Sequence, residues 1–197
     1  ELFVRAFKKE GEFELWARNR AEKFTRVHVY EVMGRSGGPG PKRREGDRQV
    51  PEGFYVIERL NPVSKFHLSL RLNYPNAADR ILSDRERPGS EIFVHGSDRT
   101  IGCLPLGDDA IEEVYLAALD AENRGAISVH IFPARMAGDE WEAYRAKVTA
   151  DRPELASFWK ELRAGFDHFE RTRTLPGITV TKEGRYVIRG ASAQAAR

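Results

Sequence analysis

The sequence is short of several things, and each shortage closes off a class of function. It holds one cysteine, Cys103, in 197 residues, so no disulfide forms within the chain and the thiol is either inert packing or a reactive group. No apolar run approaches the ~18 residues that a bilayer-crossing helix needs, which predicts a chain without a membrane span. Charge of one sign is scarcely in surplus. Thirty-two basic against 30 acidic residues leave +2, which gives no reason to expect nucleic acid or an anionic membrane as partner. A hydrophobic content of 41% excludes disorder, so a packed fold is expected. The first residue is Glu1 rather than methionine, as expected of a processed or trimmed product in which an encoded secretory signal would not be visible.

The length suits one full core with an appendage. Leu2–Phe7, Phe13–Trp16 and Arg26–Val32 alternate apolar and polar residues as half-buried strands do, and predict a β-meander. Residues 34–46 (GRSGGPGPKRREG) hold no regular pattern and predict a mobile surface loop without phosphate-loop spacing. Strands resume at 53–58, 65–71 and 91–95, and again at 126–132 before Pro133. After Cys103, Asp108 and Asp109 are placed to cap a helix whose apolar positions Ile111, Val114, Tyr115 and Ala118 recur at helical spacing. Residues 139–150 and 153–172 read as amphipathic helices with core aromatics. Residues 178–180 and 185–188 suggest a terminal hairpin, and the ASAQAAR tail is expected to fray.

His95 and Cys103 lie eight positions apart, at the end of a predicted strand and shortly before a predicted helix, joined by HGSDRTIGC. A free thiol has a pKa near ~8.5, so nucleophilic work needs an imidazole or a helix N-terminus beside it. Gly102 permits close backbone approach, and its amide with that of Cys103 is a candidate oxyanion hole. Against this, a lone cysteine flanked by Ile101 and Leu104 is more often a small buried hydrophobe, and a strand-ending histidine is more often structural.

Four segments shift that balance. GPKRREGDRQVPEGFY from Gly40, LNYPNAADR from Leu72, VHGSDRTIGCLPLGDDAIEEVY from Val94 and the following VHIFPARM together resemble the L,D-transpeptidase (YkuD) catalytic domain, in its YafK-like murein branch, over roughly residues 1–135. The resemblance implies an α+β fold: a β-rich catalytic core over 1–135 and a mainly helical C-terminal extension over 136–197. It also implies that Cys103 is the nucleophile and His95 the general base, with the Gly96 carbonyl orienting the imidazole. The substrate it implies is the peptidoglycan stem peptide, attacked at its third residue, usually meso-diaminopimelate. The resulting thioester is resolved by an amine, giving cross-links or lipoprotein attachment, or by water, which in this branch is associated with lipoprotein release. No cofactor is implied, and the location is periplasmic or exported.

The sequence departs from the wider family where Thr100-Ile101-Gly102-Cys103 replaces Ser-His-Gly-Cys and where Leu104-Pro105-Leu106 replaces a polar residue or arginine. Substrate carboxylates are therefore to be met elsewhere. Lys42, with Arg43 and Arg44, is a candidate or a solvated loop face, and Tyr74 and Asn76 border the cleft or simply make a turn. Asp47 and Glu52 brace the loop or touch ligand. His67, His95, His130 and Cys103 form a conceivable zinc set without supporting ligand-pair spacing. A non-catalytic cell-wall-peptide binder and a metal-assisted peptidase stand as alternatives.

Overall fold

The computed structural model describes residues 1–19 and 22–190; the ASAQAAR tail lies outside the described residues. The predicted meander forms as β1 (Leu2–Phe7), β2 (Glu12–Ala17) and β3 (Thr25–Glu31), paired antiparallel. β1 also runs parallel to β8 (Ser128–Phe132), which pairs antiparallel with β4 (Gly53–Ser64). β4 turns back into β5 (His67–Leu72), β6 (Phe93–His95) joins β5 antiparallel, and β7 (Leu104–Pro105) ends the sheet parallel to β6. The eight strands therefore lie in the order β3-β2-β1-β8-β4-β5-β6-β7. This mixed sheet with packed helices is the α+β architecture expected.

Strand alternation sends side chains to both faces, and over the central strands both faces are covered, whereas β3 at the edge is mostly exposed. Val4, Val94, Leu104, Val129 and Ile131 pack under α2 (Asp108–Ala121), which contributes Ile111, Val114 and Ala118. Phe7, Phe54 and Phe132 point the other way, onto Trp159, Leu162 and Phe166 of α4 (Leu155–Thr172) and Trp141 of α3 (Gly138–Asp151). Each such side chain removed from water contributes roughly 1.5–3 kcal/mol. The alternation in β1 and β2 suggests one wet face, but α4 closes that face and encloses the charges on it. Arg5 lies between the Trp16 and Phe169 rings and pairs with Glu14 at 2.7 Å and Glu170 at 2.6 Å, so its desolvation is offset by carboxylates from both β2 and α4.

Three elements depart from the pattern-based reading. β4 runs on to Ser64 and β7 precedes the helix after Cys103. A short helix, α1 (Ala77–Leu82), occupies the stretch that reads as turns, because Asn76 and Asp79 cap it reciprocally. The Gly- and Pro-rich segment is irregular but pinned rather than a free loop. Gln49 Oε1 accepts from Gly38 N at 2.9 Å and Glu52 from Gly40 N at 2.7 Å, while Arg152 donates to the Pro39 carbonyl at 2.6 Å. The C-terminal hairpin forms from β9 (Gly177–Val180) and β10 (Tyr186–Arg189).

Candidate active site

Sheet register brings the segments that carry His95 and Cys103 side by side. Val94 pairs with Leu104 and His95 with Pro105 across the parallel β6–β7 ladder, and both Val94 and Leu104 face the α2 core. His95 is the last residue of β6, and Cys103 is the residue immediately before β7. Among the described residues no hydrogen bond joins the Cys103 sulfur to the imidazole.

His95 is 2% exposed. Its Nδ1 meets the Gly96 carbonyl, which only accepts, so Nδ1 carries the proton and Nε2 is left as the basic nitrogen. Burial holds the His95 pKa below the usual histidine value, opposed by that carbonyl. Gly96 itself is dictated by space, since a Cβ there would lie 2.5 Å from Asp108 Oδ1 and 2.7 Å from the Phe66 carbonyl. Asp108 does not cap α2, whose N-cap is Gly107; its carboxylate accepts from Ser97 N at 2.8 Å and fastens the turn after the histidine.

Cys103 is partly exposed. Burial pushes its thiol pKa up, while the Phe93 backbone and the Lys42 ammonium pull it down without prevailing. Desolvation therefore prevails and holds the thiol pKa above its ordinary value. The adjoining turn is held by Thr100, whose hydroxyl accepts from Gly102 N at 3.0 Å and donates to the Cys103 carbonyl at 2.8 Å. That bond corrects one expectation, because the Gly102 amide is already occupied and is not free for an oxyanion. The glycine is needed instead for its φ of +142° and for its approach to the Gln49 carbonyl, 3.0 Å from where a Cβ would sit. Thr100 is not singled out by the sequence as the holder of this turn; a hydroxyl two positions before Gly-Cys was the available signal.

The candidate substrate contacts are used up internally. Lys42 is 4% exposed, not on a solvated loop face, and donates to Asp47 at 2.6 Å and to the Arg44 carbonyl at 3.0 Å. Tyr74 is buried with its hydroxyl on the Pro88 carbonyl at 2.7 Å. Asn76 accepts from Asp79 N and donates to the Phe54 carbonyl and the Tyr186 hydroxyl. These three side chains brace the fold, with a turn, a helix cap and a buried ammonium each engaging polar atoms within the protein. Asp47 and Glu52 brace the Gly- and Pro-rich segment, which forms a strap, as well.

The histidines do not converge. His67 pairs with Glu112 at 2.6 Å, whereas His130 is enclosed by Phe3 and Phe54, its pKa driven down to about 3 by burial and the nearby Arg5. Among the described residues no group of three or more His, Cys, Asp or Glu side chains is arranged to hold a metal ion. An apolar cleft of about 300 Å³ lies under the strap, walled by Phe7, Val32, Val50, Tyr144 and Leu104, the residue after Cys103.

No family model matches the chain. A protein of Escherichia coli K12 named "Putative L,D-transpeptidase YafK" is 31% identical over 191 residues, covering 95% of this chain and 73% of that protein. The same name and identity hold for its counterpart in the O157:H7 strain. Among solved structures, the helical cell shape determining protein Pgp2 of Campylobacter jejuni superposes with a TM-score of 0.54 at 17% identity, over 91% of this chain and 72% of that one. Bd1075 of Bdellovibrio bacteriovorus gives 0.50 at 19% identity, over 84% and 59% respectively; both share the fold. With sequence identity spanning nearly its whole length, the chain belongs to the L,D-transpeptidase family.

Proposed function

We propose that this protein acts on peptidoglycan stem peptides through a thioester at Cys103. His95 Nε2 takes the thiol proton as Sγ attacks the carbonyl carbon of the third stem residue, meso-diaminopimelate. The C–N bond to the following residue then breaks, and the imidazolium returns its proton to the departing amine. An amine or water next attacks the thioester with His95 again as base, so the outcome is either a cross-link or hydrolysis that detaches a peptidoglycan-linked lipoprotein. The Cys103 amide is the remaining oxyanion donor from the Gly-Cys pair. Residues 1–135 carry this chemistry, and 136–197 are a mainly helical extension whose aromatics buttress the far face of the sheet. No cofactor enters, and the substrate implies an exported or periplasmic location.

What supports the reading is one histidine with its tautomer set by Gly96, at the end of a strand whose parallel neighbour begins one residue after the only cysteine. Cys103→Ala is expected to abolish muropeptide turnover, read by mass spectrometry, with the thermal midpoint little changed; unaltered turnover rejects the reaction. A carbapenem, as an acylating mimic of the donor, is expected to add its mass to the parent and not to this variant. A second reading, a cell-wall-peptide binder with a silent thiol, draws on the raised thiol pKa and the missing Sγ–imidazole bond. Peptide binding without turnover and a thiol inert to native-state titration would favour it.

A further inference from the structure

We propose that Phe66 is a positioning residue for His95, laid on the imidazole from the tip of the β4–β5 hairpin so that it sets the plane of the base and keeps water from one side. This rests on the reaction assigned above. Lys65 and Phe66 are the two residues between β4 and β5, with Ser64 opposite His67. The Phe66 ring lies 4.7 Å from the His95 ring, centroid to centroid, tilted by 31°. Phe66 is 46% exposed whereas the histidine beneath it is 2% exposed. A large apolar side chain at a hairpin tip gives up stability to solvent, and the feature it covers here is the imidazole.

The tip is held in place from two sides. Ser64 Oγ accepts from Phe66 N at 3.1 Å, which tightens the turn, and His67 reaches Glu112 on α2 at 2.6 Å. The Phe66 carbonyl and the His67 Cβ crowd the hydrogen of Gly96 so closely that no larger residue fits. The same helix supplies Asp108, bonded to Ser97 N. The His95–Ser97 segment is thus clamped between the hairpin tip and α2, and the ring has its Nδ1 fixed by Gly96 and one face fixed by Phe66. Nε2 is the atom left to work.

The test compares Phe66→Ala and Phe66→Tyr with the parent chain by NMR titration of the His95 ring, distinguished from the other four histidines by a His95→Gln control. Kinetics on a defined muropeptide run alongside. His67, Glu112, Asp108 and Cys103 are the neighbouring titrating groups, and none is altered. Phe66→Ala is expected to move the His95 midpoint up, toward the ordinary ~6.5, as its cover is lost. Its kcat is expected to fall by on the order of tenfold to a hundredfold with KM nearly constant, because orientation rather than binding is lost. Phe66→Tyr, which keeps the ring, is expected to restore both. An unmoved His95 midpoint in Phe66→Ala, or a tyrosine variant as impaired as the alanine one, overturns the assignment while leaving the Cys103 reaction intact. Turnover that survives Cys103→Ala overturns the reaction itself.

Discussion

Asp47→Ala removes the anchor of the strap, whose Gln49 end lies against the turn before Cys103. The carboxylate accepts from Lys42 Nζ at 2.6 Å, from Arg43 N at 2.9 Å, and from Arg44 N and Gln49 N at 3.0 Å each. Desolvation raises its pKa, but Lys42 and the three amides outweigh that and hold it below the usual carboxylate value. The Lys42 and Asp47 side chains are only 5% and 12% exposed, so loss of the acid leaves an ammonium without its counterion in a largely dry setting. Breaking a fully buried pair costs about 3–5 kcal/mol, and the partial exposure here brings the expectation down to ~2–4 kcal/mol. For a chain of this size that lowers the thermal midpoint by roughly 5–15 °C. Because the folded pKa is depressed, the stabilisation is complete above the ordinary aspartate pKa and is lost as pH falls toward the lowered one. Thermal unfolding followed by circular dichroism from pH 7 down to acid should show the parent and variant converging. A midpoint in Asp47→Ala within ~2 °C of the parent at pH 7 refutes the argument, given the slope linking stability to midpoint. So does a Lys42→Met, Asp47→Ala double variant as unstable as the sum of its parts, since the deleted partners must couple.

Alkylation of Cys103 by iodoacetamide should accelerate only as pH climbs past the ordinary thiol value, because burial raises its pKa; Lys42→Met should shift the profile further upward. A rate plateau already reached at neutral pH contradicts this. Asn76→Ala should cost ~1–3 kcal/mol through loss of the α1 cap and the Tyr186 contact, measured by urea unfolding, with KM for muropeptide unchanged. A raised KM in a variant of parental stability would return Asn76 to the substrate.

What was legible in the sequence tracks how local the cause is. The period-two alternation of β1, β2 and β3 and the helical spacing of Ile111, Val114 and Ala118 are written in adjacent residues, and those elements formed where expected. The burial of Arg5 and Glu14 was not legible, since it depends on α4 arriving from more than a hundred residues away to supply Glu170 and cover that face. The same non-locality misled the reading of the strap. Its composition describes a chain with no regular pattern, but part of its order comes from Lys8 and Arg152, neither of which lies within it. At the site, the residue types were readable whereas the occupancy of their atoms was not. Thr100 taking the Gly102 amide, and Asn76 spending its amide on Phe54 and Tyr186, are facts of three-dimensional satisfaction that no spacing announces.

That occupancy also decides how the proposed reaction begins. Reference thiol and imidazole pKa values differ by about 2 units, so converting a thiol–imidazole pair to thiolate–imidazolium costs ~2.7 kcal/mol before any environmental effect. Here burial raises the thiol and lowers the imidazole, and both changes widen the gap. A resting ion pair is therefore disfavoured, and proton transfer has to accompany attack on the carbonyl instead of preceding it. A neutral pair asks more of geometry than an ion pair does, because Nε2 must be aimed at the S–H when substrate arrives and no charge attraction draws the two together. The Gly96 carbonyl on Nδ1, the Phe66 ring on one face and Thr100 beneath the cysteine turn each restrict one part of that aim. In a site built this way, substitutions that loosen the surroundings should lower the rate of acylation while leaving the affinity for the peptide largely intact.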